Sequence, residues 1–189
     1  MAGIFLLDGP SGAGKTTITQ ALLEHFGERL GFCQRVTTRS RRDGESGSDY
    51  QFIDAHDFEA RLARGEFAAY RKFEFGMSYA LPRQPVDARV HDGQHALAMI
   101  DLGTVGMARK CWPASVAFFL ITPPDELESR LKARGAHSHA QIAERVENAR
   151  QALEFTPFYD YVIPNRQGCL ERTLQRMIRI LSWEMEEVG

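Results

Sequence analysis

The sequence predicts an α/β fold in which a five-stranded parallel sheet is flanked by helices. Two observations predict it: short apolar runs recur along the chain, and segments with helical periodicity lie between them. Several of the runs are apolar at consecutive positions, which is typical of strands buried on both faces of a parallel sheet. The five runs are residues 3–7, 32–36, 95–100, 115–121 and 160–164.

The helices predicted to cover this sheet carry apolar residues three or four positions apart. In the second of them, Leu127 and Leu131 are four positions apart, and Gly135 follows as a stop signal. The last carries a long apolar stripe between charged residues, as expected for a helix with one face on the sheet. The four segments are residues 15–30, 123–135, 139–155 and 170–188.

Residues 37–90 interrupt this alternation of apolar runs and helices. They are rich in Arg, Gly, Asp and aromatic residues, contain a polar loop at 41–50, and include one short helical stretch at 52–67. We therefore expect a single domain with an inserted lobe at 37–90 and a short lid at 127–145. The predicted core consists of residues 1–36, 91–126 and 146–189.

Composition restricts the class of protein. The 189 residues include 25% charged side chains and carry a formal net charge of −2, values that predict an ordinary globular domain with no nucleic-acid or membrane partner. Cys33, Cys111 and Cys169 are far apart and odd in number, so we expect reduced thiols. The run at 3–7 is too short for a signal peptide or a membrane span, which predicts a cytoplasmic protein. The sequence does not distinguish a monomer from a homodimer.

The segment GPSGAGKTT, residues 9–17, follows the first apolar run and opens the first helix, and we call it the phosphate loop. Gly9 and Gly14 permit backbone dihedrals closed to other residues, so successive N–H groups can converge on a phosphate at the helix N-terminus. Lys15 is expected to reach the outer phosphates, and the Thr16 hydroxyl to hold Mg²⁺. A glycine-rich turn without a ligand would not explain the Lys-Thr-Thr sequence. The predicted nucleotide-binding residues are Gly9, Ser11, Gly12, Ala13, Gly14, Lys15, Thr16 and Thr17.

Four arginines, Arg35, Arg39, Arg41 and Arg42, lie within eight positions in the segment RVTTRSRRDGESGSDYQFID. Guanidinium groups at this density can hold phosphoryl oxygens in bidentate pairs. A solvated basic loop is the alternative that the composition of the segment also allows. Because hydrolases, switches and kinases share the phosphate loop, the acceptor decides which reaction is catalysed.

The chain resembles the guanylate kinase family over nearly all of its 189 residues. Five segments carry the resemblance in the family's order. GPSGAGKTT resembles the nucleotide loop, TTRSRRDGESGSDYQF the segment that binds the acceptor's phosphate, EFAAYRKF the following strand, RLKARG the lid, and YDYVIPN the last core strand. The resemblance implies a P-loop kinase that uses ATP and Mg²⁺ to phosphorylate a small acceptor already carrying phosphate.

The same resemblance implies roles for individual side chains of this sequence. The group that neutralises or closes over the transferred phosphoryl group is Lys15, Arg42, Arg134 and Arg145. The group that binds the acceptor is Arg39, Arg42, Tyr50, Tyr79 and Asp101. Asn165, at the end of the last matching segment, is assigned to the nucleotide-binding residues. Phosphoryl transfer depends mainly on charge neutralisation and in-line positioning, and these side chains suit both tasks.

Three positions depart from the family's pattern. The family reads guanine with a glutamate and a hydroxyl residue, and these positions fall on Ala69 and Leu81, whose side chains cannot form hydrogen bonds. Arg35 stands where the family usually has a small hydroxyl residue, and it is added to the acceptor-binding residues as a further phosphate ligand. The runs RVTTR and GMSYALP resemble the ribose 1,5-bisphosphate phosphokinase branch, whose acceptor has no base.

These departures lead us to expect ribose 1,5-bisphosphate as the acceptor and phosphoribosyl diphosphate as the product. Guanylate kinase activity on GMP is the alternative, with Glu74 as a substitute reader of the base. A binding module without catalysis and a nucleoside triphosphate hydrolase are two further alternatives, although the intact Lys15 and Thr16 argue against the first of them.

Overall fold

The computed structural model describes residues 2–41, 47, 49–73, 76–133 and 138–187 of the chain. The strands in these residues are β1 (Ile4–Asp8), β2 (Leu30–Cys33), β3 (Arg35–Thr37), β4 (Tyr50–Phe52), β5 (Phe67–Lys72), β6 (Ser78–Pro82), β7 (His95–Met99), β8 (Val116–Ile121) and β9 (Tyr161–Pro164). The α-helices are α1 (Lys15–Phe26), α2 (Ala55–Ala63), α3 (Arg83–His91), α4 (Val105–Cys111), α5 (Pro124–Ala133), α6 (His139–Gln151) and α7 (Leu170–Glu187). None of the helices in the described ranges has the length and apolar character needed to cross a membrane.

Five strands form a parallel sheet in the order β2-β7-β1-β8-β9, which confirms the predicted sheet. β1 lies at its centre, with Leu7 opposite Met99 of β7 and Phe118 of β8. The side chains of β1 from Phe5 to Asp8 are buried, as expected for a strand covered on both faces. The phosphate loop therefore leaves the carboxyl end of the central strand, with β7 and β8 on either side.

Helices cover both faces of this sheet. Phe5 and Leu7 point into a layer formed with α1 and α7, and Leu6 points into the opposite layer, formed with α3 and α4. This alternation follows from the two-residue period of a strand. Met177 and Leu181 on the apolar stripe of α7 are fully buried, and each such side chain stabilises the fold by about 1.5–3 kcal/mol.

The run at 32–36, predicted to be one strand, is divided between two sheets. β2 ends at Cys33 in the parallel sheet, and β3 begins at Arg35 in a four-stranded sheet of order β4-β3-β6-β5. The division has an electrostatic reason, because a guanidinium group cannot be buried in the apolar core without a partner. Arg35 leaves that core and pairs with Asp101, which follows β7.

The second sheet and α2 form the inserted lobe around a small apolar cluster of Val36, Phe58, Phe67 and Ala80. α3 lies in the last part of the range predicted for this lobe, but its Val86 packs in the layer on the core sheet. The limits of 37–90 stay a prediction. α3 and α4 were not among the helices predicted from periodicity, because both are short and each buries few apolar side chains.

α5 and α6 pack against each other through a separate apolar cluster of Leu127, Leu131, Ile142, Val146 and Ala149. α6 begins with a capping box in which the side chains of Ser138 and Gln141 each bond to the other's backbone N–H. This cluster gives the helix pair apolar contacts of its own. The lid at 127–145 stays a prediction.

Candidate active site

The loop between β1 and α1 has a backbone that strongly favours glycine at three positions. Gly9, Gly12 and Gly14 have φ values of 148°, 89° and 96°. A Cβ on Gly9 would lie 2.3 Å from the carbonyl oxygen of Leu120, and one on Gly14 would lie 2.7 Å from Asn165 Nδ2. The loop therefore packs closely where α1 begins, and N–H groups at a helix N-terminus attract an anion.

The Lys15 side chain folds back over this loop. Its Nζ donates hydrogen bonds to the carbonyl oxygens of Gly9 and Pro10, the second at 3.2 Å. Burial lowers the pKa of Lys15, and the neighbouring carboxyl group of Asp8 opposes this by favouring the charged amine. A cation held over the loop by its own carbonyl groups is in place for phosphates that enter there.

Exposed hydroxyl groups lie in the loop and in the first turn of α1. Thr16 and Thr17 lie in the first turn of α1, and Ser11 lies in the loop itself. Arg145 of α6 donates a hydrogen bond to the Ser11 hydroxyl, which places one arginine of the predicted lid at the phosphate loop. A loop that a Cβ would obstruct, a partly buried lysine and an exposed Thr16 fit a nucleoside triphosphate with Mg²⁺, and Thr16 would hold the metal.

Asn165 supports the loop from the end of β9. Its Nδ2 donates a hydrogen bond to the carbonyl oxygen of Ala13 at 2.7 Å, and Arg130 of α5 donates one to the carbonyl oxygen of Asn165 at 2.8 Å. Arg130 also donates to the Thr122 hydroxyl at 3.2 Å. The structure thus places Asn165 against the loop backbone. Arg130 opens the RLKARG segment but was not singled out from the sequence.

A buried carboxyl group at the start of the loop was missed by sequence reasoning. Asp8 Oδ1 accepts a hydrogen bond from the Gly9 N–H at 2.6 Å, and the Tyr159 hydroxyl donates one to Asp8 Oδ2. Burial raises the pKa of Asp8 to about 6, although Tyr159 and the charge of Lys15 favour its ionised form. Burial and the carboxyl group of Asp8 also raise the pKa of Tyr159. The available signal was an acidic residue that ends an apolar strand.

Arg35, the first residue of β3, forms the centre of a cluster of charged and aromatic side chains. One terminal nitrogen donates to Asp101 Oδ1 at 3.0 Å, and the other donates to the Tyr50 hydroxyl. The guanidinium carbon lies 4.8 Å from the ring centre of Tyr50 and 5.9 Å from that of Tyr79. Burial opposes the charge of Arg35, but the neighbouring Asp101 and Tyr50 outweigh it and raise the pKa of Arg35.

Arg39 approaches the same tyrosine. Its guanidinium carbon lies 5.0 Å from the ring centre of Tyr50 and 5.3 Å from that of Phe52, and it donates a hydrogen bond to the carbonyl oxygen of Ser40 at 3.0 Å. The rings of Tyr50 and Tyr79 meet edge to face at 5.9 Å. The structure therefore brings Arg35, Arg39, Tyr50, Tyr79 and Asp101 into one cluster.

Other predicted residues of this region stand differently. Arg41 lies with its guanidinium carbon 5.8 Å from the ring centre of Phe52. Three candidate site residues, Arg42, Glu74 and Arg134, lie outside the described residues, as does the predicted helix stop Gly135.

Ala69 and Leu81 face each other across β5 and β6. Their side chains are 2% and 1% exposed and belong to the apolar layer that also contains Leu6 and Ile100 of the core. These two residues therefore help to pack the lobe against the core and offer no side-chain hydrogen bond to a ligand.

The phosphate loop and the cluster around Arg35 meet at the carboxyl edge of the parallel sheet. β1 and β7 are neighbours, and the N–H of Ile100 donates to the carbonyl oxygen of Leu7 at 3.0 Å, so the segment with Asp101 leaves the sheet beside the phosphate loop. The charge of Asp101 acts on the pKa of Lys15. Because Asp101 also pairs with Arg35, it joins the phosphate loop to the arginine cluster.

The family model described as guanylate kinase matches residues 2–184. The chain belongs to the guanylate kinase family. It is 33% identical over 183 residues to the guanylate kinase of Fusobacterium nucleatum, covering 96% of each chain. It is 34% identical over 184 residues to that of Paramagnetospirillum magneticum, covering 96% of this chain and 84% of the relative. The crystal structure of guanylate kinase from Anaplasma phagocytophilum matches with a TM-score of 0.76 at 29% identity, covering 97% of this chain and 86% of that one.

As a member of the guanylate kinase family, the chain is a small-molecule phosphotransferase that uses ATP and Mg²⁺. The expectation of ribose 1,5-bisphosphate as acceptor is wrong, because these relatives are guanylate kinases. Arg35, expected to be a further phosphate ligand, donates hydrogen bonds to Asp101 and Tyr50, and its expected role toward phosphate stays a prediction.

Proposed function

We propose that this guanylate kinase family member transfers the γ-phosphoryl group of ATP to GMP, forming ADP and GDP. Its relatives at 33% and 34% identity are named guanylate kinase. The observation that carries the proposal is the ion pair between Arg35 and Asp101, because it joins the arginine and tyrosine cluster to the strand beside the phosphate loop. Two phosphate-binding regions that lie beside each other are what a transfer between two phosphorylated substrates requires.

The phosphate loop supplies the donor's half of the site. Backbone N–H groups at the start of α1 and the amine of Lys15 would bind the outer phosphates, and Thr16 would hold Mg²⁺. Mg²⁺, when bound, neutralises part of the phosphate charge. Lys15 would exchange its hydrogen bonds with Gly9 and Pro10 for phosphate oxygens, so the amine is already close to its working position.

The arginine cluster supplies the acceptor's half. Arg39 and Tyr50 would bind the phosphate of GMP, since a guanidinium group matches two phosphoryl oxygens. One phosphate oxygen of GMP attacks the γ-phosphorus, the bond from that phosphorus to the bridging oxygen breaks, and the electron pair leaves on ADP. An ionised phosphate oxygen needs little help from a general base, so positioning and charge neutralisation carry the rate.

Arg145 would complete the site from α6. Its hydrogen bond to Ser11 brings the positive charge of an α6 side chain to the phosphate loop. From there it would neutralise charge on the transferred group and help to exclude water. Exclusion matters because water would otherwise compete with GMP for the γ-phosphoryl group.

The test is a coupled assay of ADP formation with GMP, AMP and UMP as acceptors, each titrated at saturating Mg-ATP. We expect ADP and GDP to form together, with kcat/KM for GMP at least about tenfold above that for AMP or UMP. ADP formation at the same rate with and without GMP would instead indicate hydrolysis and refute the proposal.

Two lysine variants control this assay. Lys15→Met removes the cation over the loop, and we expect GMP-dependent ADP formation to fall by about 100-fold or more. Lys72→Met removes an exposed lysine that pairs with Glu59 at 2.7 Å in the lobe, and its rate should match the unmodified protein.

A further inference from the structure

We propose that Arg35 is a positioning residue that prepares the acceptor site by fixing the Tyr50 hydroxyl as a donor and by neutralising Asp101. The inference rests on the proposed function, because the acceptor phosphate is taken to be that of GMP. It concerns a residue that departs from the family's pattern, and it assigns that residue a role other than direct binding of phosphate.

Arg35 is buried and is held in place by two hydrogen bonds. Its side chain is only 5% exposed, and both terminal nitrogens are engaged, one by Asp101 at 3.0 Å and the other by Tyr50. Its Nε is buried without a hydrogen-bond partner in the described part of the chain. A buried donor without a partner destabilises the fold, so the arginine is not an optimal choice for stability alone.

The hydrogen bond from Arg35 determines how the Tyr50 hydroxyl can be used. A tyrosine hydroxyl has one proton to donate, and in this structure its oxygen accepts a hydrogen bond from Arg35. The tyrosine proton is therefore available for another acceptor. Arg39 lies 5.0 Å from the ring centre of the same tyrosine, so a phosphate held by Arg39 would be close to that proton.

Arg35 also neutralises the charge of Asp101. This carboxylate is 25% exposed, whereas its partner Arg35 is almost completely covered. The pKa of Lys15 responds to the charges of both residues, in opposite directions. Without Arg35, the uncompensated carboxylate would repel both phosphate groups of the reacting pair.

The experiment is a double-mutant cycle in the full-length protein with Arg35→Met, Asp101→Asn and the two combined. The dissociation constants of GMP and of Mg-ATP are measured separately by calorimetry, and the KM for GMP and kcat by the coupled assay. We expect Arg35→Met to weaken GMP binding by about 10- to 100-fold, the range for losing hydrogen bonds to a charged group. Mg-ATP binding should change by less than about threefold, because backbone N–H groups and Lys15 bind that ligand. In the combined variant the loss should be smaller than in Arg35→Met alone, because the repelling carboxylate is also removed.

Two further variants separate positioning from general support of the fold. Arg35→Lys keeps a positive charge for Asp101 but loses the planar fork that reaches Asp101 and Tyr50 together. Its GMP affinity should therefore lie between that of the unmodified protein and that of Arg35→Met. Arg61→Met is the matched control, because Arg61 also lies over an aromatic ring, at 5.4 Å from Phe67, and pairs with Glu66 at 2.9 Å. Its GMP and Mg-ATP affinities should be unchanged.

Either of two results would overturn the inference. One is an equal loss of GMP and Mg-ATP affinity in Arg35→Met, and the other is a GMP affinity in the combined variant that is no higher than in Arg35→Met. If Arg35→Met fails to fold, unchanged GMP binding in Arg35→Lys would have the same meaning. GMP that binds to the unmodified protein without being phosphorylated would refute the proposed function and leave the binding comparison intact. GMP that does not bind at all would overturn both.

Discussion

The buried carboxyl group of Asp8 makes a prediction about stability and pH. Its pKa is raised from 3.8 to about 6 by burial. At about 1.4 kcal/mol per pKa unit, this difference corresponds to roughly 3 kcal/mol. The folded state holds the Asp8 proton more tightly than the unfolded state does. This contribution is therefore fully present below about pH 4 and is lost as the pH rises through about 6.

Asp8→Asn tests this reasoning, because an amide cannot ionise and keeps the shape of the side chain. Its carbonyl oxygen can still accept from the Gly9 N–H, and its amide can donate to the Tyr159 hydroxyl. We expect the variant to gain stability relative to the unmodified protein as the pH rises from about 4 to about 7, by up to roughly 3 kcal/mol.

The assay is urea unfolding of both proteins at half-unit steps from pH 4.5 to 8, with the free energy of unfolding compared at each pH. Asp92→Asn is the control, because Asp92 is exposed, and its difference from the unmodified protein should not vary by more than about 0.5 kcal/mol. A difference between Asp8→Asn and the unmodified protein that is constant across this pH range would refute the reasoning.

Two further predictions concern the phosphate loop. Asn165→Ala removes the hydrogen bond to the carbonyl oxygen of Ala13, and we expect Mg-ATP affinity measured by calorimetry to fall by about tenfold; an unchanged affinity would show that the loop keeps its shape without this support. Arg145→Met removes the positive charge beside Ser11, and we expect kcat with GMP to fall by about 100-fold while the KM for GMP changes by less than about threefold. Arg150→Met on the same helix removes an exposed arginine and should leave kcat unchanged, so equal losses in the two arginine variants would contradict the role of Arg145.

Local patterns in the sequence were sufficient for much of this protein. The consecutive apolar residues of β1, β7 and β8 predicted buried strands, because a strand covered on both faces has no polar side. The phosphate loop was equally local, since its glycines and Lys15 lie within a few positions of one another between a strand and a helix. The family resemblance supplied Arg39, Tyr50, Tyr79 and Asp101, which the structure brings together.

The sequence failed where partners are far apart along the chain. Arg35 and Asp101 are separated by 66 positions, and Asp8 and Tyr159 by 151. Neither pair has a spacing that a periodic pattern could reveal. The division of 32–36 between two sheets has the same origin, because it depends on what Arg35 contacts. The error about the acceptor has a different origin, since that expectation followed mainly from the absence of side-chain hydrogen-bonding groups at Ala69 and Leu81.

The sequence by itself determined the parallel sheet, the phosphate loop and the family, because backbone periodicity and glycine geometry act over short distances. Only the tertiary structure decided the electrostatics of the candidate site. Interactions between charges depend on distance and burial in the folded molecule, so the ion pair between Arg35 and Asp101 is visible only in the structure.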